Sequence, residues 1–217
     1  MTKILTIGFL VFFLIGCKPT NCPPNLNKQP MFGKAEKCPK QIKIDNDFLK
    51  QCDKIFEHRK IAAQYHIDQA WGFFYENKLD SSMMRFNQAW LLDSLNAEIF
   101  WGYGNLMGRK GEFQKSLVFF DKSIKLNPNN AKVWESASTS FGQLFFQTKD
   151  VELLNKSIEY LKRSVELDPT NARAFGQLSG AYTYFIQKDS ARKYLEIAEA
   201  LDPEAVNPEV RRLIMEK

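Results

Sequence analysis

The sequence predicts an all-α fold: a solenoid of about four stacked helical hairpins over residues 63–203, with an N-terminal helix before it and a C-terminal capping helix after it. Three observations predict it. Leu126-Asn127-Pro128, Leu167-Asp168-Pro169 and Leu201-Asp202-Pro203 recur in register, and each proline stops a helix and turns the chain into the next. Counting back from Pro128 isolates a 34-residue unit, 97–130, a length at which helical hairpins repeat. Small residues recur at matching places in the units, among apolar residues at helical spacing. The chain is 44% hydrophobic and 13% aromatic, enough to fill such a core and too much for a disordered chain.

The first element is a leader. Met1-Thr2-Lys3 precedes an apolar run from Ile4 to Ile15, then Gly16 and Cys17. The run is shorter than the ~20 residues that span a bilayer and suits the core of a signal peptide, residues 1–16. Leu14-Ile15-Gly16-Cys17 resembles the bacterial lipobox. That resemblance implies cleavage before Cys17, lipidation of its thiol, and a membrane-anchored lipoprotein of the bacterial cell envelope. The alternative is an ordinary secretory signal with a chance cysteine.

Residues 17–44 read as a flexible tether, because prolines 19, 23, 24, 30 and 39 forbid long helices and few residues are apolar. Export permits disulfides, and Cys22 and Cys38, both in this segment, form a candidate pair. Cys52 falls on an apolar helical face and reads as core. The net charge of +5 also belongs here, since residues 18–60 carry ten Lys or Arg against five acids and residues 61–217 nineteen against twenty. A basic segment of this kind either rests on anionic headgroups or stays solvated. No charged stripe in the repeats suggests nucleic acid.

Residues 45–62 form the predicted N-terminal helix, with Phe48, Leu49, Cys52, Ile55 and Phe56 at helical spacing and Asp45 or Asp47 as N-cap. The repeat units follow as 63–96, 97–130, 131–171 and 172–203. Unit 97–130 supplies Phe100, Gly104, Met107, Ser116, Phe120, Ser123 and Pro128; the last supplies Phe175, Ser179, Tyr182, Ala191, Leu195, Ala198 and Pro203. With these residues the chain resembles the tetratricopeptide repeat (TPR) family, whose small residues at three fixed positions let antiparallel helices approach. Met84 to Trp90 and Phe100 to Gly104 also resemble stretches of bacterial TPR lipoproteins without an assigned activity.

In the first unit Asn77 stands at the turn, where a left-handed residue is wanted. The third unit is forty-one residues long, seven more than a regular one, and its ends still match. The surplus lies near Lys149-Asp150 and predicts a projecting hairpin with Phe145, Phe146, Val151 and Leu154 at its tip, either covering the N-terminal helix or forming a contact patch. Residues 204–217 predict the capping helix, with Asn207 as N-cap, Pro208 first, Val210, Leu213 and Ile214 on one face, and Arg211, Arg212 and Lys217 towards solvent.

Catalysis finds no foothold in the residues. The two histidines, His58 and His66, lack metal-ligand spacing, and His66 falls at a core position. Gly102, Gly104 and Gly108 lie inside a helix, where they serve close packing and not phosphate binding. No nucleophile elbow, metal or cofactor is expected.

The TPR resemblance implies a groove lined by first-helix positions that holds a protein or peptide. Those positions place Gln64, Ile67, Trp71, Phe74 and Tyr75, then Glu98, Trp101, Asn105, Gly108 and Arg109, then Lys132, Glu135, Thr139, Gly142 and Gln143, then Arg173, Gly176, Gly180, Thr183 and Tyr184. The expected partner-binding residues are Trp71, Phe74, Tyr75, Trp101, Asn105, Arg109 and Arg173, unless the N-terminal helix covers the two tryptophans. TPRs that clamp a terminal carboxylate carry Lys and Asn where Ile67 and Trp71 stand here, so that ligand is not expected. No small-molecule substrate is expected either.

Overall fold

A computed structural model describes residues 21–215. The apolar leader, Cys17 and Lys217 lie outside the described residues. Within them the order is two 3-10 turns, Leu26–Lys28 and Pro30–Lys34, and then ten helices: α1 Pro39–Ile55, α2 Arg59–Tyr75, α3 Leu79–Leu92, α4 Ala97–Arg109, α5 Phe113–Leu126, α6 Ala131–Thr148, α7 Val151–Leu167, α8 Ala172–Tyr184, α9 Lys188–Leu201 and α10 Pro208–Met215. Helices α2 to α9 pair as four antiparallel hairpins, each packed on the next.

One local device starts the first helix of hairpins two to four. Asn96, Asn130 and Asn171 stand at the N-cap, where each side chain accepts a backbone N–H of the first turn. The hairpin turns need a left-handed residue, supplied by Asn77, Gly111, Lys149 and Ile186 with φ of 58°, 75°, 61° and 57°. Serines on the second helices stitch the second and third hairpins. Ser123 donates to the Ala97 carbonyl at 2.7 Å and Ser164 to the Ala131 carbonyl at 2.9 Å, one carbonyl at the start of each first helix.

Glycines set the tightest contacts. A Cβ on Gly102 would lie 2.2 Å from the Phe86 ring, and one on Gly104 would lie 2.4 Å from the Phe120 ring. The two rings therefore rest on bare backbone. The third hairpin carries the surplus as length: α6 has 18 residues and α7 has 17, against 13 and 14 in the second and fourth hairpins.

The N-terminal region departs from the expected flexible tether. From residue 21 to Cys38 the described chain is a folded loop, closed by a disulfide between Cys22 and Cys38 and laid on α3. Leu26, Met31 and Phe32 are buried there, and Phe32 meets the edge of Trp90 at 6.5 Å. Asn87, fully buried, donates to the carbonyls of Asn27 and Gln29 at 3.1 and 2.9 Å and accepts the Tyr103 hydroxyl at 2.7 Å. Met31, Phe32 and Gly33 run through left-handed backbone, a conformation that costs an L-residue about 1–2 kcal/mol. The prolines and charges that signalled a spacer concealed three apolar side chains and a buried amide waiting for them on α3.

The first helix begins at Pro39 and not at Asp45, with proline in the first turn and the Gln41 side chain accepting the Cys38 N–H. Asp45 instead takes Lys37, and Asp47 takes Lys43. The chain breaks at residues 56–58, so residues 59–62 belong to α2 and the first hairpin starts earlier than residue 63. α1 packs against α2 and α3, placing Phe48 on His66 and Phe56 on Tyr65. Cys52 is a buried free thiol, its pKa raised by burial and by Asp53.

His66 is buried, and burial with the nearby Arg85 charge pushes its pKa down to about 4. It is a neutral core residue at pH 7.

The projecting hairpin does not cover α1. Phe145 and Leu154 are buried against the fourth hairpin, and Phe145 and Phe146 meet Tyr184 at 5.7 and 5.3 Å. The physical reason is order in a solenoid, where a hairpin reaches its neighbours and α1 sits at the far end. In α10, Asn207 caps the Glu209 N–H, but Arg211 does not simply face solvent. It is half-buried, donating to the Glu199 carboxylate and the Pro203 carbonyl.

Candidate binding surface

The first helices of the hairpins form one row. α2 packs on α4 and α4 on α6, whereas α6 and α8 approach less closely. The row is thus closed in its N-terminal part and parted further on. The expected groove residues divide between these two regions.

In the closed part the aromatics are tied to one another. Trp71 lies 4.5 Å from Trp101 between ring centroids and also touches Phe74, Tyr75 and Phe86. Its indole N–H donates to Glu98 at 2.9 Å, and that of Trp101 donates to Ser136 at 2.9 Å. Asn105 donates to the Trp101 carbonyl, and the Arg109 guanidinium lies 5.2 Å from the Phe74 ring. Neither tryptophan depends on α1 for cover. Tyr75 and Arg109 stay exposed at the rim, while Ile67, also a groove position, is fully buried.

At the parting of α6 from α8 a buried carboxylate bridges the helices. Glu135, its side chain 3% exposed, accepts from Arg173, from Gln177 at 3.2 Å and from Asn171 at 3.0 Å. Arg173 is therefore committed to an ion pair, although most of its side chain is exposed. A bridge of this kind fixes the spacing of two helices more than it stabilises them, since desolvation offsets much of the attraction.

Beyond the bridge the helices diverge around a cavity of about 860 Å³. Phe145, Leu154, Leu161 and Ile214 give it apolar walls, and Thr139, Gln143, Thr183, Lys188, Asn207 and Glu209 give it a polar rim. Gly142 and Gly180 bare two stretches of backbone at its sides. A Cβ on Gly142 would find only the Ser157 hydroxyl, at 3.8 Å, so this glycine is not needed for packing as Gly102 and Gly104 are. Gly176 is closed over, with the Ala205 carbonyl 2.8 Å from where its Cβ would be. The cavity size is within the range of ligand sites, and the mixture of apolar walls with a few polar groups suits one side chain or a short stretch of peptide.

Sequence reasoning placed Thr139, Gly142, Gln143, Gly180 and Tyr184 on the lining but missed the wall formed by Val210, Leu213 and Ile214 of α10 and the floor from α7. The apolar face of residues 210–214 was visible as a helix stripe; its place against α8 and α9, at the cavity that α6 also lines, was not. Among the described residues no group of three or more His, Cys, Asp or Glu could hold a metal ion, and no helix is long and apolar enough to cross a membrane.

No family model matches the chain, and no curated protein matches it. Solved structures do. The chain is similar to YrrB, described as a TPR protein with an unusual peptide-binding site, at 21% identity and a TM-score of 0.58, over 77% of this chain and 79% of YrrB. The fold is that of a TPR solenoid. TTC0263, a TPR protein of Thermus thermophilus, aligns at 19% identity and a TM-score of 0.60 over 71% of this chain and 80% of its own. The first TPR of Spaghetti, solved with the HSP90 peptide SRMEEVD, aligns at 16% identity and a TM-score of 0.51 over 58% of this chain and 95% of its own.

Proposed function

We propose that this TPR protein is a non-catalytic adaptor, anchored by lipid on Cys17 at the bacterial cell envelope, that holds a protein or peptide partner. The observation that carries the binding role is the cavity between α6 and α8, apolar inside, polar at its rim and walled by a helix outside the repeats. The peptide-binding site described for YrrB and the HSP90 peptide bound to the first TPR of Spaghetti support it by analogy of fold. A terminal carboxylate clamp is not the mode here, because Ile67 is buried and Trp71 is held by its neighbours. Capture instead rests on apolar anchors entering the cavity, with Gln143, Thr183 and exposed backbone beside Gly142 offered to the partner's main chain.

The test is partner capture from detergent-solubilised membranes by the wild type and by Gly142→Leu, which fills the cavity from a site with room for a side chain. Loss of capture at unchanged thermal stability supports the reading, and unchanged capture removes the cavity from it. Mass spectrometry of the membrane-extracted protein should find acyl chains on Cys17 at the mature N-terminus; an unmodified Cys17 means that the anchor is wrong.

A second reading, a structural subunit of an envelope assembly, is favoured by one observation. Ile186 is 80% exposed and sits at φ 57°, a costly backbone position for a β-branched side chain, beside exposed Tyr184 and Phe146. A stoichiometric complex that survives high salt and is lost in Ile186→Gly would favour this reading over exchangeable peptide binding.

A further inference from the structure

The face of α1 turned away from the repeats is basic. Phe48, Leu49, Cys52 and Phe56 point the other way, into the core shared with α2 and α3. On the outward side, Lys40, Lys43, Lys50 and Lys54 fall within an arc of about 80°, taking about 100° per residue. All four are exposed. One acid, Asp47, stands among them, and Lys43 holds it at 2.6 Å. Ile44 and Ile55 flank the stripe, 58% and 74% exposed, on the same side of the helix. The stripe is about 21 Å long at about 1.5 Å per residue.

The disulfide fixes where the chain before this face arrives. Cys22 is bonded to Cys38, the N-cap of α1, with 5.0 Å between their Cα atoms. Gln41 of α1 also donates to the Pro23 carbonyl at 2.7 Å. Residue 22 is thereby held at the head of the lysine stripe, and four residues separate it from Cys17. Five peptide steps reach at most about 18 Å.

We propose that this face of α1 is a second membrane contact, docking on an anionic lipid surface with its four lysines among the headgroups and Ile44 and Ile55 at the headgroup boundary. Four lysines on one side of a helix fit a plane of negative charge, and isolated aliphatic side chains beside them fit the edge of an apolar phase. The disulfide gives the contact a fixed geometry, joining the arrival of the N-terminal segment to the helix that lies on the surface. The solenoid then extends from the bilayer with its first hairpin nearest and the cavity at α6, α8 and α10 furthest along the stack. The setting at the envelope rests on the lipid-anchor reading above, whereas attraction to anionic lipid belongs to the face itself.

The experiment uses the mature chain, from residue 17 on, with Cys17→Ser, so that neither the leader nor an acyl chain contributes, and measures co-flotation with vesicles. Phosphatidylcholine vesicles are compared with vesicles that contain one-third phosphatidylglycerol, for the parent and for Lys40→Gln, Lys43→Gln, Lys50→Gln and Lys54→Gln combined. Expected is a preference of about tenfold for the anionic vesicles in the parent, collapsing in the quadruple variant and in high salt, with unchanged circular dichroism. No preference in the parent, or a preference retained by the quadruple variant, overturns the proposal. Tighter binding of the parent to soluble polyglutamate than to the anionic vesicles at equal charge also overturns it, since the face would then be reading acidic protein. Failure of the anchor is seen separately, by mass spectrometry of the membrane-extracted wild type, as a Cys17 that carries no acyl group.

Discussion

The two halves of the solenoid use the same hairpin and end in opposite states. In the N-terminal half the aromatics between the helices are held by their neighbours: Trp71 on Trp101 and Glu98, Trp101 on Ser136, Phe86 on the backbone of Gly102, Tyr103 on Asn87. The disulfide-closed loop then seals the outer side of α3. In the C-terminal half two longer helices and a capping helix enclose space they do not fill. The difference teaches that aromatic content is a poor guide to a binding surface. Rings at regular spacing satisfy one another, and the opening appears where lengths mismatch.

Four perturbations test that contrast. The largest effect is expected from removing the disulfide, by Cys22→Ser with Cys38→Ser. A sequence separation of 16 residues corresponds to about 3 kcal/mol of stability, read as a drop in denaturant midpoint, with hydrogen exchange rising on α3 and unchanged on α8. Equal loosening of both halves would mean that the loop is not local to the first hairpin. Next, Gly104→Val drives a side chain into the Phe120 ring and should cost about 2–3 kcal/mol by thermal unfolding. A neutral outcome would show that the N-terminal half has slack.

His66 gives the third. Its folded pKa of about 4 lies below the ordinary value of 6.5, so the unfolded chain binds the proton more readily between them. The stability it protects is complete above about pH 6.5 and is lost as pH falls towards 4, with about 1–2 kcal/mol gone by pH 5. Comparing wild type with His66→Leu by urea titration at pH 7 and pH 5 reads this directly, the variant losing less on acidification. The smallest is Gly142→Ala in the open half. Helix propensity improves by about 0.5–1 kcal/mol and nothing is struck, so the protein should be slightly stabilised, the reverse of Gly104→Val. Destabilisation would mean that the cavity wall is tighter than its geometry implies.

Much of the fold was legible because its signals are local. Prolines 128, 169 and 203 and the small residues at hairpin seams each act within one unit. The seven surplus residues of the third unit could be placed near its turn because both ends of the unit kept register. The candidate surface was only partly legible. Glu135 had been placed on the lining as a groove position, but its charge is consumed by Arg173, Gln177 and Asn171 from the next hairpin, which no spacing within either hairpin reveals. The folded state of residues 21–38 was missed because its apolar residues are few and its backbone is left-handed, so neither composition nor periodicity marks it.

The sequence by itself determined the repeat, the order of its hairpins, the lengthened third unit and the basic character of the N-terminal segment, because each depends on residues within a turn or two of one another. Only the tertiary structure decided that Trp71 and Trp101 are pillars and not an open platform, that α10 walls a cavity beside α6, and that Cys22 meets Cys38 at the head of a lysine-faced helix. Those outcomes depend on which surfaces distant segments bury against each other. Burial is a property of the assembled stack, so it appears only when the hairpins are in place.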